Sequence, residues 1–173
     1  MRIKKTILLC ILVMSAYMIC ACENQSASKD KEEKETKVSI SELSKYYYEY
    51  EHQKIYIAQK IEEAVEILGG NYEYFEAPSC ASDGIDMFYY YQNFTVMANE
   101  INGEKLVAQI YFKNDTVATP EGIRITSSYA DVVNQYGTDY DMNGTALEYS
   151  DGNTLLVIDV KDGKVAAIEY EYK

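Results

Sequence analysis

The chain has no tryptophan and a single histidine among its 173 residues. One imidazole excludes histidine-rich metal sites and leaves any Ser/His/Asp arrangement dependent on His52, which sits in the polar turn Glu51-His52-Gln53, the setting of a solvated loop residue. There is no glycine-rich phosphate loop and no GxSxG elbow. Of the four cysteines, only Cys80 lies beyond residue 22. No intrachain disulfide can then staple the body of the protein, whose core must hold it alone; a buried, inert thiol is the expected state of Cys80. Positive charge is scarce as well, with 16 Lys and Arg against 28 Asp and Glu. A chain of net charge −12 repels nucleic acid and anionic head groups. Cations or a basic protein suit it better.

Long apolar runs are also missing. The longest, Ile7 to Ile19, falls short of the ~20 residues that span hydrocarbon. It follows Arg2, Lys4 and Lys5, the layout of a signal peptide. Ile19-Cys20-Ala21-Cys22 then resembles the lipobox of bacterial lipoproteins, in which a small residue precedes the cysteine that is acylated. Ala21 makes Cys22 the fitting lipidation site, and bulky Ile19 disfavours Cys20. An uncleaved anchor and an ordinary secretory signal are the alternatives. The expected organisation is a lipoprotein signal over 1–21 and a lipidated, polar tether over 22–44. Removal of the leader takes the formal charge from −12 to −15 over the remaining 152 residues. Two acyl chains are what stable anchoring takes, so the implied address is the cell membrane, lipid-anchored and facing outside the cytoplasm. Glu23 to Lys37 holds no apolar residue larger than Ala and cannot offset its ordering entropy. As a flexible coil it spans about 20 Å.

Beyond the tether, KIYIAQKIEEAVEILGGNY from Lys54 aligns with GIRITSSYADVVNQYGTDY from Gly122. Both copies predict a short strand, then a helix laying one face on a core. The faces are Ala58, Ile61, Val65 and Leu68 in the first copy and Tyr129, Val132, Val133 and Tyr136 in the second. Each helix stops at a glycine, Gly69 or Gly137, and Ser128 with Asp131 forms a capping-box-like start. Three strand-like runs follow in each copy: Ile85–Tyr91, Phe94–Asn99 and Lys105–Lys113, then Thr145–Ser150, Thr154–Val160 and Lys164–Tyr172. Asn102-Gly103, Asp151-Gly152 and Asp162-Gly163 mark hairpin turns. The expected fold is α+β, two tandem repeats over 45–117 and 118–173, each a helix packed on an antiparallel sheet.

YFEAPSCASDGID, YYYQNFTV and DTVATPEGIRITSSYADVVNQYG resemble the pattern of a group of Gram-positive tandem-repeat lipoproteins. The resemblance covers most of residues 45–172. That group is similar in repeat architecture to the beta-lactamase inhibitory protein, which implies joined sheets with a binding face. The inhibitor's disulfides are missing and no motif carries over its inhibitory residues, so lactamase inhibition is not implied.

Strand alternation assigns the sides of the sheet. Met87, Tyr89, Val96, Ala108, Ile110 and Phe112, with Leu147, Tyr149, Leu156, Ala166, Ile168 and Tyr170, belong under the helices. The opposite face then shows Phe88, Tyr90, Met97 and Tyr111 from the first copy and Glu148, Asp159, Glu169 and Glu171 from the second. Eighteen tyrosines suit a recognition surface, and equally well a set of strand formers. The expected role is a non-catalytic binding module for an extracytoplasmic protein or cell-wall component, with no cofactor and no nucleic acid. A structural or chaperone-like envelope lipoprotein is the second reading. Asp139, Asp141 and Asn143, ahead of Gly144, copy the opening of a calcium loop, but Ser150 stands where its bidentate Glu belongs. Cys80 with His52 is the remaining nucleophile and base combination, without motif support. Replacing Cys22→Ser is expected to abolish acylation and move the protein from the membrane pellet to the soluble extracellular fraction, read by fractionation and intact mass.

Overall fold

The computed structural model describes residues 44–80 and 84–173. The leader, Cys22 and nearly all of the tether lie outside the described residues. In chain order the elements are β1 (Tyr48–Tyr50), β2 (Gln53–Ile55), α1 (Ile61–Leu68), β3 (Glu73–Pro78), β4 (Ile85–Tyr90), β5 (Phe94–Ile101) and β6 (Glu104–Phe112). They continue with α2 (Tyr129–Tyr136), β7 (Asp141–Asn143), β8 (Ala146–Asp151), β9 (Thr154–Lys161) and β10 (Lys164–Tyr172). β1 and β2 form a hairpin of their own, and the other eight strands form one sheet in the order β3-β4-β5-β6-β10-β9-β8-β7. Every pairing is antiparallel.

This corrects the expected α+β class of two helix-on-sheet repeats. The described residues are mostly β, with two helices of eight residues each among them. The helical periodicity lasts only about two turns in either copy, too little to define a layer. β5, β6, β9 and β10, at eight or nine residues, are as long or longer, and β6 pairs with β10 through Gln109↔Glu171, Ile110↔Tyr170 and Tyr111↔Glu169, so the strands of both copies lie in one sheet. The expected boundary at 117/118 falls in the connection between β6 and α2. Among the described residues no helix is long and apolar enough to cross a membrane.

Local sequence explains the elements. The β5–β6 and β9–β10 hairpins turn through Asn102-Gly103 (φ 54° and 80°) and Asp162-Gly163 (φ 52° and 74°), where both residues need positive φ. α1 buries Ile61, Ala64 and Leu68, and α2 buries Val132. Ser128 caps α2: its hydroxyl accepts from the Asp131 amide at 3.1 Å, while its own amide donates to the Asp131 carboxylate at 3.0 Å. The Ser128 hydroxyl also donates to the Asp131 carboxylate at 2.6 Å, and this bond first, then the one from the Ser128 amide, holds the Asp131 carboxyl below its ordinary value. Lys60 at the start of α1 makes no side-chain cap.

β6 and β10 each carry a bulge. Between the pairs Met97↔Gln109 and Ala98↔Val107 the register skips Ala108, and between Asp159↔Ala167 and Val160↔Val165 it skips Ala166. Val107 and Val165 therefore take the buried positions expected of Ala108 and Ala166, which are half-buried and exposed respectively. Past each bulge the strand's backbone turns to the segment entering a helix. Ala58 N–H donates to the Val107 carbonyl at 2.8 Å and Val107 N–H to the Gln59 carbonyl at 2.9 Å; Thr126 and Ser127 do the same with Val165, at 2.8 Å each way. Ala58 and Thr126 adopt φ of 67° and 81° to make this turn, which is why Ala58 precedes α1 instead of joining its buried face.

The core lies between the sheet, the two helices and the β1–β2 hairpin. Val96, Ile110, Tyr170, Leu156 and Tyr149 form one continuous buried row across it. Tyrosine serves here as a large apolar body with a polar tip. Tyr91 donates its hydroxyl to the carbonyl of Gly69 and Tyr149 to that of Gly137, both at 3.0 Å, so each closes the C-terminal end of a helix from the sheet below. Replacing Ser128→Ala is expected to cost about 1 kcal/mol, the usual loss for an N-cap of this kind, seen as a lower midpoint in urea with an unchanged slope.

Candidate functional site

The strand register places the open face residue by residue. One row crosses all eight strands: Glu73, Tyr90, Thr95, Tyr111, Glu169, Val157, Glu148 and Asp141. The next row runs Phe75, Phe88, Met97, Gln109, Glu171, Leu155 and Ser150. Tyr90, Tyr111, Glu169 and Glu148 thus share one line, and Phe88, Met97 and Glu171 share the other. Asp159 is not in either, since it stands opposite Ala146 and Ala167 in a third line. All eight expected face residues are half-buried, and their neighbours Met87, Tyr89, Val96, Ile110, Leu147, Tyr149, Ile168 and Tyr170 point into the core.

Five contributors were not anticipated. Phe75, 54% exposed, extends the aromatic half onto the edge strand; Glu73-Tyr74-Phe75-Glu76 has no period-two alternation to signal it, and all four residues are exposed. Gln109 and Thr95 fill the middle of the rows, and Leu155 and Val157 make the acidic half part apolar. The aromatic half is ordered by its own stacking. Phe88 and Tyr90 lie 5.9 Å apart with an interplanar angle of 8°, and Phe75 lies 6.1 Å from Phe88. Thr95, between Tyr90 and Tyr111, is 0% exposed, and its hydroxyl oxygen has no hydrogen-bond partner.

On the acidic half Gln109 Nε2 donates to Glu169 Oε2 at 2.8 Å, and Asn143 Nδ2 to Glu148 Oε1 at 2.8 Å. One carboxylate oxygen of Asp159 is shielded from solvent without a partner. Glu171 has its carboxyl raised, first by burial, then by the neighbouring Glu169 and Glu148 charges, with Gln109 acting in the opposite sense. No lysine, arginine or histidine occupies a position in either row. At the end of the second row Lys173 Nζ donates to the Ser150 hydroxyl at 2.9 Å. Such a surface stacks flat groups, accepts hydrogen bonds and attracts positive charge.

The other candidates do not assemble. Asp141 and Asn143 belong to β7, where extended backbone sends alternate side chains off in line instead of wrapping them around an ion, and Asn143 is engaged by Glu148. Asp139, in the connection before β7, is exposed. The calcium loop is therefore not formed, and among the described residues no group of three His, Cys, Asp or Glu side chains is placed to hold a metal. Cys80 is exposed just after β3, a correction to the expectation of a buried thiol, because the residue follows a solvent-facing edge strand. His52 lies in the β1–β2 turn with φ 64°, its Nδ1 3.8 Å from Glu49. No protein-family model matches the chain, and no curated protein or solved structure matches it significantly.

Because folding raises the Glu171 carboxyl, the folded state binds that proton more tightly than the unfolded one. Stability is then lost as pH rises from the ordinary glutamate value through the raised one. Replacing Glu171→Gln is expected to stabilise the protein at neutral pH by about 0.5 kcal/mol, the scale of a solvent-screened charge, read as a higher melting temperature, and to change nothing below the ordinary glutamate value.

Proposed function

We propose that the protein is a non-catalytic binding module, held outside the cytoplasmic membrane by lipid on Cys22, that engages an extracytoplasmic protein through the open face of its sheet. The observation that carries this is the pair of rows in which pre-stacked aromatic side chains meet half-buried carboxylates. An open face that served only stability would gain from solvated or ion-paired side chains. Here Glu171 is desolvated beside two like charges, a local cost that recognition explains. Two rigid aromatic anchors with polar groups alongside are also the usual composition of an interface centre.

The second reading, a chaperone-like or structural envelope lipoprotein, draws on β3. This six-residue edge strand has no pairing strand on its outer side among the described residues, and it exposes Tyr74 and Phe75. The two readings part on selectivity. Capture from envelope extract with the mature ectodomain is expected to retain one stoichiometric protein. Replacing Tyr90→Ala and Tyr111→Ala together is expected to weaken that capture about a hundredfold, as loss of two anchors does, with the circular dichroism spectrum unchanged. A broad set of unfolded clients, indifferent to the double substitution, favours the edge strand instead.

A further inference from the structure

Resting on the recognition role of the open face, we infer that its partner is a basic protein segment. Its lysine or arginine side chains lie against Glu169 and Glu171, and its apolar side chains against Phe88 and Tyr90. The seam of the sheet sets this chemistry. Tyr111 is the direct neighbour of Glu169, and Gln109 of Glu171, across the β6–β10 pairing. Side chains opposed in this way stand about 5 Å apart. A lysine or arginine stem can lie along the tyrosine ring while its head reaches the carboxylate, the division such side chains favour at a half-dry surface.

Charge complementarity picks this occupant over others. The two rows carry Glu73, Asp141, Glu148, Glu169 and Glu171 and no base. Glu169 has only a neutral amide donor in Gln109, and Asp159 keeps a shielded oxygen without a partner. An incoming cation relieves the repulsion among these carboxylates and gives Glu169 a charged partner beside its neutral amide donor. An acidic peptide or anionic polymer is repelled. A neutral glycan can stack on Phe88 and Tyr90 but leaves the carboxylates uncompensated, and the acidic side chains are not grouped tightly enough for a bare metal ion.

The test uses the mature protein and three synthetic peptides of equal length, built on Lys-Phe-Ser, Ser-Phe-Ser and Glu-Phe-Ser units, with binding followed by the protein's tyrosine fluorescence. The lysine peptide is expected to bind about tenfold more tightly than the neutral one, as two or three screened ion pairs give. That preference is expected to vanish near 1 M salt, where the Debye length is about 3 Å. The triple replacement Glu148→Gln, Glu169→Gln and Glu171→Gln is expected to equalise the lysine and neutral peptides. Replacing Tyr90→Ala and Tyr111→Ala is expected to weaken every peptide.

Equal affinity for the lysine and neutral peptides in the unaltered protein, or a lysine preference that survives the triple replacement, overturns the cationic assignment. If the tyrosine replacements still weaken binding in that case, the open-face reading stands without it. If they leave lysine-peptide binding unchanged, the open-face reading itself falls. Peptidoglycan that binds the triple variant as well as the unaltered protein, and competes with the neutral peptide, overturns a protein partner in favour of a sugar.

Discussion

Within the sheet, three residue pairs join the two halves of this protein. Gln109, Ile110 and Tyr111 of β6 meet Glu171, Tyr170 and Glu169 of β10, and no other pairing joins the strands before residue 112 to those after 141 within the sheet. On one side of the seam Ile110 and Tyr170 complete a buried row; on the other Tyr111 and Glu169 bring an aromatic line against an acidic one. Core and binding face are two sides of the same contact. A one-residue slip there would turn Tyr170 to solvent and Glu169 inward.

The bulges at Ala108 and Ala166 set the limits of that contact. Beyond them β6 and β10 hand their backbone groups to the segments that lead into α1 and α2, so the helices enter at the places where the sheet's middle strands have freed hydrogen bonds. The hydroxyls of Tyr91 and Tyr149 fasten the other ends of those helices. Short helices of eight residues are marginal alone; anchored at both ends by the sheet, they need little intrinsic stability.

Much of this was legible in the sequence because period-two alternation survives in strands with one wet face. Phe88 and Tyr90 against Met87 and Tyr89, or Glu169 and Glu171 against Ile168 and Tyr170, sort themselves by polarity and spacing. Three things were not legible. A bulge adds a residue without a compositional mark, so Ala108 and Ala166 looked like core and Val107 and Val165 did not. The joining of β6 to β10 is a long-range choice that neither segment encodes on its own. And tyrosine count does not report tyrosine role: Tyr46, Tyr48, Tyr91, Tyr149 and Tyr170 are core side chains, whereas Tyr90 and Tyr111 share the open face.

The seam also bears on how the chain reaches its native state. Each of the other strand pairings joins neighbours in sequence, the kind of hairpin that forms within about 1–10 μs, whereas Gln109 and Glu169 are 60 residues apart. Closing so long a loop must be bought with conformational entropy before any contact repays it. Two local meanders are therefore ready first and their docking is the slow event. Since the aromatic and acidic lines adjoin only after docking, a half-folded molecule has no finished surface to offer.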